Sequence, residues 1–93
     1  MDKKEAFYKK LKSDLEETTK FPTKYLYKFI VPSEKGKIAQ VESAFNHLGA
    51  VITKKSSKTG KFISISILVN MNSANEVIKK YKEVAVVEGI ISL

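Results

Sequence analysis

Few side chains in this sequence are suited to catalysis. His47 is the only histidine, and there is no cysteine to serve as a nucleophile or as a thiolate ligand. A hydrolytic site needs a base beside its nucleophile, but His47 lies in Asn46-His47-Leu48-Gly49, at the predicted end of a helix, where the helix dipole stabilises positive charge. The sequence therefore predicts a structural role for His47 and no catalytic residue, metal site or cofactor. We expect that the protein is not an enzyme.

The lysine-rich segment from Lys54 to Lys61 is similar to a phosphate-binding loop in composition only. A P-loop requires a glycine five residues before its Gly-Lys pair and a serine or threonine after it, whereas Lys55 and Phe62 occupy these positions. The segment also joins two predicted strands rather than a strand and a helix. We interpret it as a solvated turn, and the alternative is a contact with an anion or an acidic partner through Lys54, Lys55, Ser56, Ser57, Lys58 and Lys61.

The net charge of +7 comes from 17 basic residues, and every one of them is lysine. Lysine lacks the planar fork with which arginine binds a phosphate or a guanine edge in two places. Ten acidic residues are also interspersed among the lysines, which favours a solvated surface over a nucleic-acid footprint. Nucleic acid is therefore not the expected partner, although RNA binding stays open as a further alternative.

The length and composition predict one small domain. A chain of 93 residues has room for a single core, and its 43% hydrophobic content is ordinary for a globular protein. No apolar run approaches the roughly 20 residues that cross a bilayer, and the first residues do not form a signal peptide. We expect a cytoplasmic protein with no membrane contact.

Hydrophobic periodicity predicts an N-terminal helix over residues 1–20, followed by one domain over residues 21–93. The helix is amphipathic, and the residues before Pro22 end it. The domain begins with a strand from Lys24 to Val31, then a helix that Ser33 caps and Gly49 ends. Two strands follow, over residues 50–55 and 60–70. A capping box at Ser73 opens a helix to residue 84, and the last strand covers residues 86–91.

This order predicts an α+β fold of the ferredoxin-like βαββαβ type. Its four strands form an antiparallel sheet in the order 4-1-3-2, with two helices on one face and the N-terminal helix in addition. Strand alternation directs Tyr27 and Phe29 inward in the first strand and the isoleucines inward in the third. In the last strand we expect Val87, Gly89, Ile91 and Leu93 to face the core, and Glu88 to pair with Lys28 on the other side.

The same alternation leaves the outward side of the sheet unusually apolar. A large apolar patch on a protein surface usually marks an interface. The cover is either the N-terminal helix, a second copy of the chain or a protein partner. Phe62 is the one aromatic residue expected there, too few for the base stacking of RNA-recognition domains. The candidate interface residues are Leu26, Ile30, Phe62, Leu68, Val86 and Ile90.

Several short segments together resemble the YbeD-like family of small bacterial proteins, over about residues 21–93. They are Phe21-Pro22-Thr23 followed by Tyr27-Lys28, Ser56-Ser57-Lys58 leading to Ser64-Ile65-Ser66-Ile67, and the closing segment from Val86 to Leu93. The resemblance implies a ferredoxin-like fold, similar to that of the ACT domains that bind amino acids and other effectors. It assigns no function, because the family is largely uncharacterised.

One loop is similar to the ACT pattern, in which a glycine after a strand lets a ligand approach the backbone. The corresponding residues here are Pro32, Ser33 and Gly36, with Val31 where an acidic residue usually stands. We interpret Gly36 as serving loop geometry and keep a small-molecule effector as the alternative. The sequence as a whole predicts a non-catalytic regulatory or protein-interaction domain; the alternative is ACT-like sensing of an amino acid or another small ligand.

Overall fold

The computed structural model describes residues 2–93, which form three helices and one sheet. Two strands of ten residues lie at its centre because β-branched and aromatic residues alternate along both segments. The elements are α1 (Lys3–Thr18), β1 (Thr23–Pro32), α2 (Lys35–Phe45), a 3-10 turn (Asn46–Leu48), β2 (Val51–Ser56), β3 (Phe62–Met71), α3 (Ala74–Val84) and β4 (Ile91–Ser92).

The four strands are antiparallel in the order β2-β3-β1-β4, which is the predicted order 4-1-3-2 read from the other edge. Strands β1 and β3 pair along their whole length, from Thr23 opposite Met71 to Pro32 opposite Phe62. The prediction of an α+β chain with βαββαβ order behind an N-terminal helix is therefore confirmed.

The inner side of the sheet forms the core. Tyr27, Phe29 and Val31 of β1 are completely buried, as are Ile65 and Ile67 of β3. The intervening residues of both strands lie on the other side, as the period of two requires. The side-chain parity predicted for the first and third strands is confirmed.

The tyrosine hydroxyl groups of this core form hydrogen bonds. Tyr27 donates to the carbonyl oxygen of Val77 at 3.1 Å, and the hydroxyls of Tyr25 and Tyr81 are 2.8 Å apart. Burial is the main cause that raises the pKa of Tyr27 and of Tyr81 far above the usual value for a phenol. Both groups therefore stay neutral in the folded protein at pH values where an exposed tyrosine ionises.

Helix α3 closes the core with the predicted N-terminal cap. The Glu76 amide donates to the Ser73 hydroxyl at 3.2 Å. The Glu76 carboxylate reaches back to the Asn72 amide at 2.7 Å, one residue further than in the usual capping box. Val77 and Tyr81 face the sheet as expected, so the helix begins and packs as its sequence indicates.

Helix α1 packs beside α3, on the same side of the sheet as the other helices. Leu15 is buried in the core, and Tyr8 and Leu11 are half-buried against it. The Lys82 ammonium lies 5.5 Å from the centre of the Tyr8 ring, which fixes α1 against α3 through a cation–π contact. All three helices thus cover one face, and α1 does not cover the other.

The last strand differs from its prediction. Only Ile91–Ser92 form β4, whereas the segment after α3 forms successive turns, with the Ile90 amide donating to the Val87 carbonyl at 3.3 Å. Val87 is buried as expected, but it belongs to a turn and not to a strand. Ile91 lies opposite Ile30 and faces outward, and Ile90 packs toward the core, so the predicted parity of this strand is wrong. Gly89 causes the difference, because its φ of 82° is incompatible with an extended strand.

The start of α2 also differs from its prediction. Glu34, not Ser33, is the N-cap residue, and its carboxylate pairs with the Lys37 ammonium at 2.7 Å. The Ser33 amide instead donates to the Lys61 carbonyl at 3.0 Å, which ties the end of β1 to the β2–β3 hairpin. At the other end, Gly49 has a φ of 69° and terminates the helical segment after the 3-10 turn, as expected.

Gly89→Ala should lower the free energy of unfolding by about 1–3 kcal/mol, because the residue has a left-handed backbone and an added Cβ would lie 2.9 Å from Pro32 Cγ. Gly36→Ala is the matched control. Gly36 lies within the first turn of α2 with open space around it, so this change should raise the free energy of unfolding by about 0.5–1 kcal/mol. Urea denaturation measures both. Equal effects of the two substitutions would contradict the described turn.

The buried tyrosines should make the protein sensitive to alkaline pH. Since their folded pKa is raised, they contribute stability that is complete below the unfolded pKa of about 10 and is lost as pH rises above it. Tyr81→Phe removes one of the two groups, so the unfolding free energy should fall less steeply between about pH 10 and pH 11. Urea denaturation of both proteins across this range tests it, and identical slopes would refute the assignment.

Candidate interaction surface

The sheet surface opposite the helices, called the outer face below, is formed by the outward side chains of all four strands. Residues directly opposite each other in an antiparallel pair point to the same side of the sheet, so the register fixes the neighbours. The outer face consists of Leu26, Lys28, Ile30, Val51, Thr53, Lys55, Phe62, Ser64, Ser66, Leu68 and Ile91.

Its apolar side chains form two clusters, one toward each end of β3. Leu26, Leu68 and Val51 lie side by side on three neighbouring strands. At the other end, Phe62 of β3 lies opposite Pro32, and Ile91 of β4 pairs with Ile30, the neighbouring outward residue of β1. These apolar residues are between 36% and 64% exposed, apart from Ile30, which is half-buried. Side chains of this size and exposure form a surface that burial against a partner would stabilise.

A shallow polar band separates the two clusters. Thr53, Ser66 and Lys28 lie in line across β2, β3 and β1, and Ser64 is the next outward residue of β3. The outer face therefore has an apolar cluster toward each end of β3 and a polar band between them.

The charge of the outer face has one sign. Lys28 and Lys55 point outward and are exposed, and so is Lys24 at the margin of this face. The four strands contain no Asp or Glu. The predicted pair between Lys28 and Glu88 does not form. Lys28 lies opposite Leu93, whose amide donates to the Lys28 carbonyl at 2.9 Å, and none of the ion pairs within residues 2–93 involves Glu88.

Four of the six residues predicted for this surface belong to it: Leu26, Ile30, Phe62 and Leu68. Val86, although 77% exposed, lies in the turn after α3, and Ile90 packs toward the core. Ile91 and Val51 lie on the outer face and were not predicted. The pairing of Val51 with Leu68 places Val51 on this face. The side on which Ile91 lies, in contrast, follows only from the turn at Gly89.

The residues predicted to form a basic contact around the β2–β3 hairpin lie on different sides of the sheet. Lys54 points to the helix side and binds the Glu42 carboxylate at 3.1 Å, whereas Lys55 points to the outer face. The turn is ordered by the Ser57 hydroxyl, which accepts from the Phe62 amide at 3.2 Å. Ser56, Lys58 and Lys61 are exposed around it, so the six residues do not form a single cluster.

The residues of the predicted ligand loop also lie apart. Pro32 ends β1 and contacts the Gly89 region, and Ser33 is exposed. Gly36 instead borders a cavity of about 370 Å³ between α2 and the turn after α3, which Val86 and Val87 also line. Neither Pro32 nor Ser33 lines that cavity.

A second depression, called the α1 groove below, lies between α1 and the edge of the sheet. It has a volume of about 230 Å³ and a mostly apolar lining of Phe7, Tyr8, Leu11, Tyr25, Tyr81, Ser92 and Leu93. Phe7 is 61% exposed there, although it is a large aromatic residue. No sequence pattern pointed to this groove, because its residues come from both ends of the chain.

Within residues 2–93, no group of three or more histidine, aspartate or glutamate side chains is placed to hold a metal ion. Among the helices of this same range, none has the length and apolar character that crossing a membrane requires.

The family model described as "Protein of unknown function (DUF493)" matches residues 16–92, which include the end of α1 and every strand. No curated protein and no solved structure gives a significant match.

Proposed function

The chain belongs to the DUF493 family, which confirms the resemblance to the YbeD-like proteins, and we propose that it is a non-catalytic domain that binds a partner protein through the outer face. The observation that supports this proposal is the uncovered apolar surface of the sheet. Leu26, Leu68 and Val51 lie together in contact with solvent, while all three helices pack on the opposite side. Apolar patches that are rimmed by polar side chains are typical of protein interfaces.

The charge of the outer face favours a foreign partner over a second copy. Two copies docked face to face would bring Lys28 and Lys55 of one chain close to the same lysines of the other. No carboxylate on the strands could neutralise them. Like charges at an interface disfavour association, whereas a partner with acidic residues around an apolar centre would complement this surface.

A sensing function is the second candidate, because Gly36 borders the cavity of about 370 Å³ beside the α2 helix. Such a volume suits an amino acid or another small effector. Thermal-shift measurements with amino acids and nucleotides test this candidate. A ligand at 100 times its dissociation constant adds about 2.7 kcal/mol of stability, so an unchanged melting temperature with every compound would exclude it.

The leading proposal predicts that Phe62→Thr combined with Leu68→Thr strongly weakens partner binding. Threonine keeps the β-propensity of strand β3 and removes one exposed apolar side chain from each of the two clusters of the outer face. The experiment is affinity capture from an extract of the source organism, followed by light scattering of the purified complex. We expect a complex of fixed stoichiometry with the unsubstituted chain and a loss of at least about tenfold in affinity with the double variant.

Val86→Thr is the matched control because it removes an exposed valine that lies off the outer face. It should bind the partner like the unsubstituted chain. In both variants, each substituted site should change the free energy of unfolding by no more than about 0.5 kcal/mol. A captured protein that binds the double variant equally well would contradict the proposal. So would a strictly monomeric chain that forms no complex at all.

A further inference from the structure

Strand β4 covers only a small part of the edge of β1. The two strands pair at Phe29 and Ile30, and the Leu93 amide adds one hydrogen bond to Lys28. Strand β1 begins at Thr23, so its first five residues have no neighbouring strand on that side. An open strand edge is a template for pairing with another chain.

The backbone direction of β1 makes this edge suitable for a further strand. Because successive backbone groups point alternately to the two sides of a strand, Leu26 and Lys24 direct theirs to the same side as Lys28, away from β3. Neither residue takes part in the turn and loop hydrogen bonds that join backbone groups within residues 2–93. Two amides and two carbonyls are therefore aimed out of the sheet.

The α1 groove lies at this same edge, on the inner side. Tyr25 points into it from β1, and Phe7 and Leu11 line it from α1. A strand laid along β1 would direct alternate side chains into the groove, where a large apolar group would cover Phe7 and Leu93, both of which are exposed. An extended polypeptide would fit both the backbone edge and the groove.

We propose that the chain binds an extended segment of another protein as an added strand along β1, with a large apolar side chain in the α1 groove. Charge specifies the segment further. Its outward residue opposite Lys24 would be acidic, because Lys24 and Lys28 are the charged side chains of β1 and both point outward. A second copy offers either its β2 edge, which carries Lys54 and Lys55, or its own β1 edge, which carries Lys24 and Lys28, so either pairing between copies would bring lysines together.

This inference is separate from the use of the outer face, because it rests on backbone groups and on the inner side of the sheet. Strand addition takes its affinity from main-chain hydrogen bonds and its specificity from pockets for alternate side chains. The two proposals can therefore fail independently. Leu26 distinguishes them, since its side chain belongs to the outer face and its amide to the edge.

The test uses the full chain and peptides selected from a display library of random nine-residue sequences, resynthesised with a fluorescent label. Leu26→Pro removes the amide donor, and proline is tolerated at an edge position that donates no bond to its neighbour strand. Leu26→Ala is the matched control, because it shortens the side chain and keeps the amide. We expect selected peptides to alternate apolar and acidic residues, and to lose at least about tenfold in affinity with Leu26→Pro but less than about threefold with Leu26→Ala.

Phe7→Asp provides a second variant that does not alter the sheet, and it should weaken the same peptides because it places a carboxylate in the α1 groove. Hydrogen exchange adds a readout on the unsubstituted chain. The Leu26 amide should exchange fast alone and slowly with peptide, whereas the Tyr25 and Tyr27 amides, directed toward β3, stay protected throughout. Peptides that bind Leu26→Pro as tightly as the unsubstituted chain, that leave Leu26 exchange unchanged, or that cannot be selected at all would overturn the inference.

Discussion

The antiparallel ladder between β1 and β3 determines the rest of the structure. Its ten residue pairs fix which side of the sheet each side chain occupies, and a slip by one residue would exchange the two sides. Tyr27, Phe29, Ile65 and Ile67 are completely buried on the inner side, so their alternation requires the remaining residues of both strands to point outward. The three helices all pack on the inner side. A second apolar sheet surface consequently remains in contact with solvent.

The sequence was sufficient to predict the elements whose periodicity is regular. Strand β3 alternates without interruption from Phe62, and the Ser73 cap with Glu76 marks the start of α3. The closing segment could not be predicted in the same way. Its valines and isoleucines are typical of a strand, but Val87 is buried within a turn, and Gly89 has a left-handed backbone and lies against Pro32, which is far away in the chain.

The position of α1 was open for a different physical reason. An amphipathic pattern shows that a helix needs an apolar surface, and this domain offers two such surfaces, one on each side of the sheet. The pattern of Leu11 and Leu15 cannot distinguish them. The choice is decided by tertiary contacts of α1 with α3, among them the approach of Lys82 to Tyr8. The candidate outer face was therefore predictable in β1 and β3, but its exposure was not.

Two surfaces suited to a polypeptide partner arise from this arrangement. Placing α1 beside α3 leaves the outer face uncovered, and the two residues of β4 pair with only part of the β1 edge. The strands supply lysine and no carboxylate to either surface, which favours acidic partners over association between copies. A sheet that is covered on one side only is thus the feature of the fold on which the proposed binding function rests.

The most direct test of this account is the accessibility of the outer face in the isolated chain, measured by NMR with a soluble paramagnetic probe. The methyl groups of Leu26, Val51, Leu68 and Ile91 should be strongly broadened by the probe, whereas those of Ile65 and Ile67 should not. Contacts of Tyr8 and Leu11 should be found with α3 and the core. Protected outer-face methyl groups, together with contacts between them and α1, would contradict the account.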